Sequence, residues 1–118
     1  LEEPELRKKY TLPEIIEIAI ENKGNFNDVC LYTKNYTTFA TVELVCYLDH
    51  YPKIKDDDTE VYPGFVVENS LELFFYGQQF EDVIASIENQ NKEASIDDYI
   101  KALNFYFEND AFIIKNLR

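Results

Sequence analysis

Asp49, His50 and Tyr51 stand in consecutive positions, an acid, a base and a phenol side by side. General acid–base catalysis would need at least two of them to converge on one substrate proton, and neighbours at a strand end point in different directions. His50 is the single histidine of the chain. Read with its neighbours it is expected to be a loop histidine with a local hydrogen bond rather than a catalyst. Cys30 and Cys46 are the only cysteines. Together with His50 they supply too few ligands for a closed zinc site. Both fall in apolar β-patterned stretches and could pack face to face, although two buried free thiols are the simpler expectation and fit a reducing compartment.

A denser group follows at "YPKIKDDDTEVYPGF", residues 51–65. Asp56, Asp57, Asp58 and Glu60 form a carboxylate cluster bracketed by Tyr51-Pro52 and Tyr62-Pro63, with Phe65 just beyond. Calcium loops of the EF-hand type alternate their acids around a glycine turn, and this run does not. No metal or cofactor is expected. Glycine-rich phosphate cradles are absent, since the three glycines, Gly24, Gly64 and Gly77, are scattered, and no nucleophile motif occurs. What remains is recognition. Carboxylates suit lysine and arginine, and tyrosine rings with polar tips suit an interface.

Charge supports that reading. The formal net charge is -12, and it is regional: nine acids stand against seven bases through residue 55, but fourteen against two from 56 to 110. Such a field repels nucleic acid and anionic lipid and steers a basic protein surface toward itself. No apolar run approaches the length of a membrane span, and the opening "LEEPELRKKY" has no signal-peptide core, so a cytoplasmic location is expected. The chain contains no methionine, and its native start is therefore expected upstream.

These residues must be positioned by a fold. At 118 residues with 46% apolar content, residues 1–118 are expected to form one domain with a single core. "TLPE" at 11–14 reads as a capping box opening a helix that Gly24 would end. Residues 28–33 and 41–49 read as strands joined by the loop 34–40, the second with Val42, Leu44, Cys46 and Leu48 on one face and Glu43, Val45, Tyr47 and Asp49 on a partly wet one. Residues 51–65 read as a polar connector, 64–70 as either helix or strand, and 71–77 as a strand ended by Gly77. Phe80, Val83, Ile84 and Ile87 mark an amphipathic helix, and a second capping box at Ser95–Asp98 opens another whose apolar stripe runs through Ile96, Tyr99, Ile100, Leu103, Tyr106 and Phe107. The expected fold class is α+β, a small antiparallel sheet of three or more strands packed by about three helices in the order α-β-β-(α)-β-α-α.

The stretch 80–113 ends in a helix reading A-L-N-x-Y-x-E-N-D-x-F, carried here by Ala102, Leu103, Asn104, Tyr106, Glu108, Asn109, Asp110 and Phe112. In this it resembles a family of small, largely uncharacterised bacterial domains. In size and acidity the chain is also similar to immunity proteins of bacterial toxin systems such as contact-dependent growth inhibition. That likeness implies a non-enzymatic cytoplasmic protein bound to a cognate toxin, often a basic nuclease, and transfers no binding residues. The candidate partner-binding residues therefore come from the sequence itself: Asp56, Asp57, Asp58 and Glu60 for charge, Tyr51, Tyr62 and Phe65 for buried anchoring area. A regulatory interaction module, or a small ligand-binding domain or enzyme built around His50, stands as the alternative.

Overall fold

The computed structural model describes residues 4–22, 24, 26–34 and 39–109. Along the chain these form β1 (Tyr10–Thr11), α1 (Leu12–Glu21), β2 (Val29–Thr33), β3 (Val45–His50), β4 (Lys53–Ile54), β5 (Glu60–Val61), α2 (Gly64–Glu68), β6 (Glu72–Tyr76), α3 (Gly77–Gln90) and α4 (Ile96–Asn109). The fold is α+β. Its main sheet is antiparallel in the order β1-β3-β2-β6, and β4 and β5 make a separate two-stranded ribbon.

Both capping boxes read from the sequence are present. Thr11 Oγ1 accepts from the Glu14 N–H at 3.4 Å while Glu14 Oε1 accepts from the Thr11 N–H at 2.8 Å. Ser95 and Asp98 reciprocate in the same way at 3.0 and 3.2 Å, and Asp97 and Asp98 add negative charge at the positive end of α4. Helix α1 stops earlier than expected, with Asn22 as its C-cap. Gly24, at φ 92°, lies past it, and its N–H and that of Phe26 both donate to Glu81 Oε2, at 2.8 and 3.1 Å. That glycine belongs to a loop clasped by α3, not to a helix cap.

Strand alternation sorts the side chains into two layers. Leu31, Cys46, Leu48 and Phe75 face the main core with Ile15, Ile16, Phe80, Val83, Ile84 and Leu103 of the helices. Cys30, Tyr32, Tyr47, Leu73 and Tyr76 face the other way. The pairing register shifts between Leu31 and Tyr32 opposite β6, so that Phe74 is the extra residue. This bulge lets Phe74 and Phe75, consecutive in sequence, both enter the main core, where each packs against Phe107, at 5.0 and 4.6 Å between ring centroids. At the β6–α3 junction Gly77 presses on the carbonyls of Phe26 and Val29, where no Cβ has room.

The strand expected over 41–49 is corrected: it begins at Val45, and residues 42 and 43 lie in a turn. On the face expected to be partly wet Val45 and Tyr47 are half-buried, whereas Asp49 is fully buried. Cys30 and Cys46 are both buried free thiols, as expected, and they do not pack face to face because they lie on opposite faces of the sheet. Of the A-L-N stretch, Asn104 explains itself: its amide accepts from the Ala40 N–H at 2.6 Å and donates to the Ala40 carbonyl at 3.0 Å, tying α4 to the loop before β3. Asp110 and Phe112, and residues 35–38 of the expected loop, lie outside the described residues.

Candidate protein-binding face

The segment 51–65 is not a structureless connector. Lys53↔Val61 and Ile54↔Glu60 pair as a ribbon, and the three aspartates are its loop. The Asp58 N–H donates to the Lys55 carbonyl and the Lys55 N–H to the Thr59 carbonyl, both at 2.9 Å, while Asp58 adopts φ 68°. This is a three-residue hairpin loop, a turn followed by a left-handed residue, the position where glycine is usual and aspartate is tolerated. Asp57 accepts from the Thr59 N–H at 3.0 Å, and that bond, made by side chain and backbone of Thr59, holds its carboxyl below the usual range. The aspartates thus have a local structural job. All three remain exposed to solvent, and among the described residues none is in an ion pair.

Helix α2 follows Pro63 and closes with a left-handed Ser70, at φ 56°. The Ser70 N–H reaches the Val67 carbonyl at 3.2 Å and the Leu71 N–H the Val66 carbonyl at 2.9 Å, a Schellman end whose apolar pair, Val66 and Leu71, is buried. Tyr51 and Tyr62, which flank the ribbon, and helix α2 cover the outer face of the sheet. Tyr62 stands edge-on to Tyr32 at 6.1 Å, Tyr51 stacks on Tyr76 at 5.6 Å, and Phe65 tilts against Tyr47 at 5.8 Å. Tyr51 Oη also accepts from the Gln78 N–H at 3.2 Å, satisfying a donor in the first turn of α3.

Every candidate residue is therefore placed on one structure. Tyr51, Tyr62 and Phe65, expected from the sequence as anchors for a partner, first serve this chain's own packing: all three lie on the second cluster of Cys30, Tyr32, Val66 and Leu71. Each is half-buried, so each still shows part of its ring to solvent. Asp56, Asp57, Asp58 and Glu60 lie on the ribbon outside that roof. Glu60 Oε1 accepts from the Tyr62 hydroxyl at 2.9 Å, linking the acidic ribbon to the aromatic layer. His50 is exposed, whereas the Asp49 carboxylate is engaged by Arg7 Nε at 3.2 Å and by the His50 backbone N–H at 2.8 Å. No acid–base pair of side chains forms there.

A family described as a domain of unknown function, DUF7716, matches residues 11–114, from the N-cap of α1 onward. The chain belongs to the DUF7716 family. No curated protein and no solved structure matches it.

In this DUF7716 domain burial raises the pKa values of the thiol and phenols of the outer layer. The Tyr32 hydroxyl donates to the His50 carbonyl at 2.8 Å, and burial, then the neighbouring Cys30, pushes its pKa up beyond the ordinary phenol range. Burial also pushes Cys30 up to about 11, against the opposing pull of the Gly77 N–H and the Tyr32 hydroxyl. Tyr62 is raised to about 12, first by burial and then by its bond to Glu60. Each of these groups is thereby held toward its protonated form at neutral pH. Among the described residues no cluster of histidine, cysteine and carboxylate could hold a metal, and no helix is long and apolar enough to cross a membrane.

Sequence reasoning missed two features of this face. The ribbon strands are two residues each, too short for alternation to show. The available signal was turn chemistry, since K-D-D-D-T-E between apolar Ile54 and Val61 is a hairpin pattern once aspartate is allowed the left-handed position. Exposed Ile54 and Val61 were also passed over. They are 61% and 41% exposed, on opposite faces of the ribbon, since Ile54 pairs with Glu60 and Val61 with Lys53.

Proposed function

We propose that this DUF7716 domain is a binding protein that captures a basic protein partner through the β4–β5 ribbon, and that its specific role is immunity, neutralising a cognate toxin such as a basic nuclease in the cytoplasm. One observation carries the reading. Three carboxylates that make no ion pair among the described residues are held at the tip of a ribbon whose root is anchored by Tyr51 and Tyr62, and whose flanks expose Ile54 and Val61. The acids steer and specify, and the apolar flanks supply area that becomes buried on association. Against a nuclease, the same carboxylates would occupy lysines and arginines that otherwise hold nucleic-acid phosphates. The protein then acts by occlusion and needs no cofactor.

The test is co-purification with the product of the adjacent gene, with growth measured when that neighbour is expressed alone and together with this chain. A stable complex and restored growth support immunity. A complex without toxicity would leave a regulatory binding module, and neither complex nor toxicity overturns the reading. For the surface, changing Asp56, Asp57 and Asp58 together to Asn keeps a residue that tolerates the left-handed position and removes only charge. The expected result is an association rate about tenfold lower at low salt and a weaker salt dependence, with dissociation little changed. An unchanged association rate removes the ribbon tip from the mechanism.

A further inference from the structure

Helices α1 and α3 both pack on the main core, and a cleft of about 170 Å³ lies between them. Ala19 of α1 and Ile84 of α3 line it as buried core residues, so its floor is apolar. Gly24 and Ala85 line it too, and their lack of bulk leaves the space open. Around this floor stand Glu81, Asp82 and Glu88, with Asp82 exposed and the two glutamates half-buried. Along α3 the series Glu81, Ala85, Glu88 follows one face of the helix, with an acid at each end. One of these acids is fixed in place. Glu81 Oε2 accepts from the Gly24 N–H at 2.8 Å and the Phe26 N–H at 3.1 Å, so the loop after α1 holds this carboxylate at the side of the cleft.

The lining defines what would fit. At about 30 Å³ per water, 170 Å³ has room for about five or six waters, the bulk of one long side chain. A bare metal ion is a poor match. Glu81 and Glu88 are separated by about 10 Å along the helix axis, and among the described residues no histidine, cysteine and carboxylate group could hold a metal. An anion would meet the three carboxylates, and among the described residues no lysine or arginine lines the cleft to offset them. A wholly apolar group would strip water from the carboxylates without replacing its hydrogen bonds. A cation on an aliphatic stem satisfies floor and rim together, laying its methylenes on apolar surface and its head among oxygens. A second copy of this chain is a poor source of that cation, because approach would bring together two bodies of net charge -12.

We propose that the cleft between α1 and α3 is a second recognition site that takes one lysine or arginine side chain of a protein partner, its stem against Ala19, Ile84 and Ala85 and its charged head among Glu81, Asp82 and Glu88. The site is separate from the aspartate loop. Ala19 and Ile84 belong to the main core, whereas Tyr51 and Tyr62 at the root of the ribbon belong to the layer on the other face of the sheet. The proposal rests on the preceding reading only for the cation's being carried by a protein.

The experiment is an NMR titration of the full chain with acetyl-Gly-Arg-Gly-amide as the probe, following backbone amide shifts. Expected are saturable shifts confined to the last turn of α1, Gly24 and residues 81–88, with a dissociation constant of about 1 mM. The same peptide with citrulline in place of arginine keeps the shape, loses the charge and should bind about tenfold more weakly. Equal binding overturns the cationic head. Ala85→Leu fills the cleft from an exposed helical position and should abolish the shifts, and Asp82→Asn, also exposed, should weaken binding about threefold. Unchanged affinity in both variants, or no saturable shift at all, overturns the site. Lys23→Gln removes the cation next to Gly24 in sequence, which lies outside the described residues, and should change little; a gain of about tenfold would give the cleft to this chain's own lysine and overturn the partner. Putrescine held more tightly than the peptide would overturn a protein side chain as the occupant. The variant with Asp56, Asp57 and Asp58 changed to Asn separates the two surfaces. Retained peptide affinity supports the cleft even if the ribbon fails its own test, and affinity lost with the aspartates means the ribbon tip held the peptide, which overturns the cleft alone.

Discussion

The two faces of β2 and β3 are made from alternate residues of the same strands, yet they are covered in different ways. Leu31 and Leu48 meet three helices and a layer of phenylalanine and aliphatic side chains that is almost entirely dry. Tyr32 and Tyr47, one residue along, meet a short ribbon and a helix of five residues, and the rings around them are half-buried tyrosines. The inner face is closed by area alone. The outer face is closed largely by rings with polar tips, three of them hydrogen-bonded: Tyr32 to the His50 carbonyl, Tyr51 to the Gln78 N–H, Tyr62 to Glu60. A roof built from tyrosine can therefore be thin, because its outer rim is content in water. It can also carry charge outward, as the aspartate loop does.

The contrast is broken most severely from the inside. Phe75→Ala removes a ring that touches Phe74, Phe80, Tyr106 and Phe107, and is expected to cost about 4 kcal/mol in chemical denaturation. A loss near that of an exposed residue would mean the inner layer is less continuous than it looks. On the outer face, Tyr32→Phe keeps the ring and leaves the His50 carbonyl without its donor, with an expected loss of about 1.5 kcal/mol.

Alkaline pH probes both faces at once. Cys30 and Cys46 are raised from 9.0 to about 11 and about 12, and Tyr62 from 10.0 to about 12, in each case chiefly by burial. The unfolded chain ionises these groups first, so their contribution to stability is complete below pH 9.0 and is lost as pH rises toward 12. Urea midpoints should fall across that window, and a midpoint that rose would contradict burial of the two thiols. The smallest change sharpens the picture of the roof: Ser70→Gly relieves a left-handed residue at the end of α2 and should stabilise by about 0.8 kcal/mol, with proteolysis of the roof slowed accordingly.

Much of this fold was legible wherever an element was long enough to show its period or its cap. The boxes at Thr11–Glu14 and Ser95–Asp98, the stripe of α4 and the alternation through Cys46 and Leu48 all follow from local pattern. The ribbon was not legible, because two-residue strands have no period and because Asp58 stands where glycine would have announced the turn. Gly24 misled for the opposite reason: it has the left-handed φ of a helix cap, but its N–H is held by Glu81, fifty-seven positions away.

The candidate site divides along the same line. Composition and spacing alone determined that residues 51–65 are acidic, aromatic and bounded by prolines, that the acidity is concentrated after residue 55, and that no set of residues supplies a familiar catalytic or metal motif. Only the tertiary structure decided that Tyr51, Tyr62 and Phe65 grip the back of the sheet while the three aspartates are left exposed, that the cysteines are divided by the sheet, and that the chain around β1 seals the edge of β3. The reason is physical. Charge and local propensity belong to residues and near neighbours, whereas what covers a face or an edge depends on segments that meet across tens of residues of chain, and no local pattern records which of them arrives.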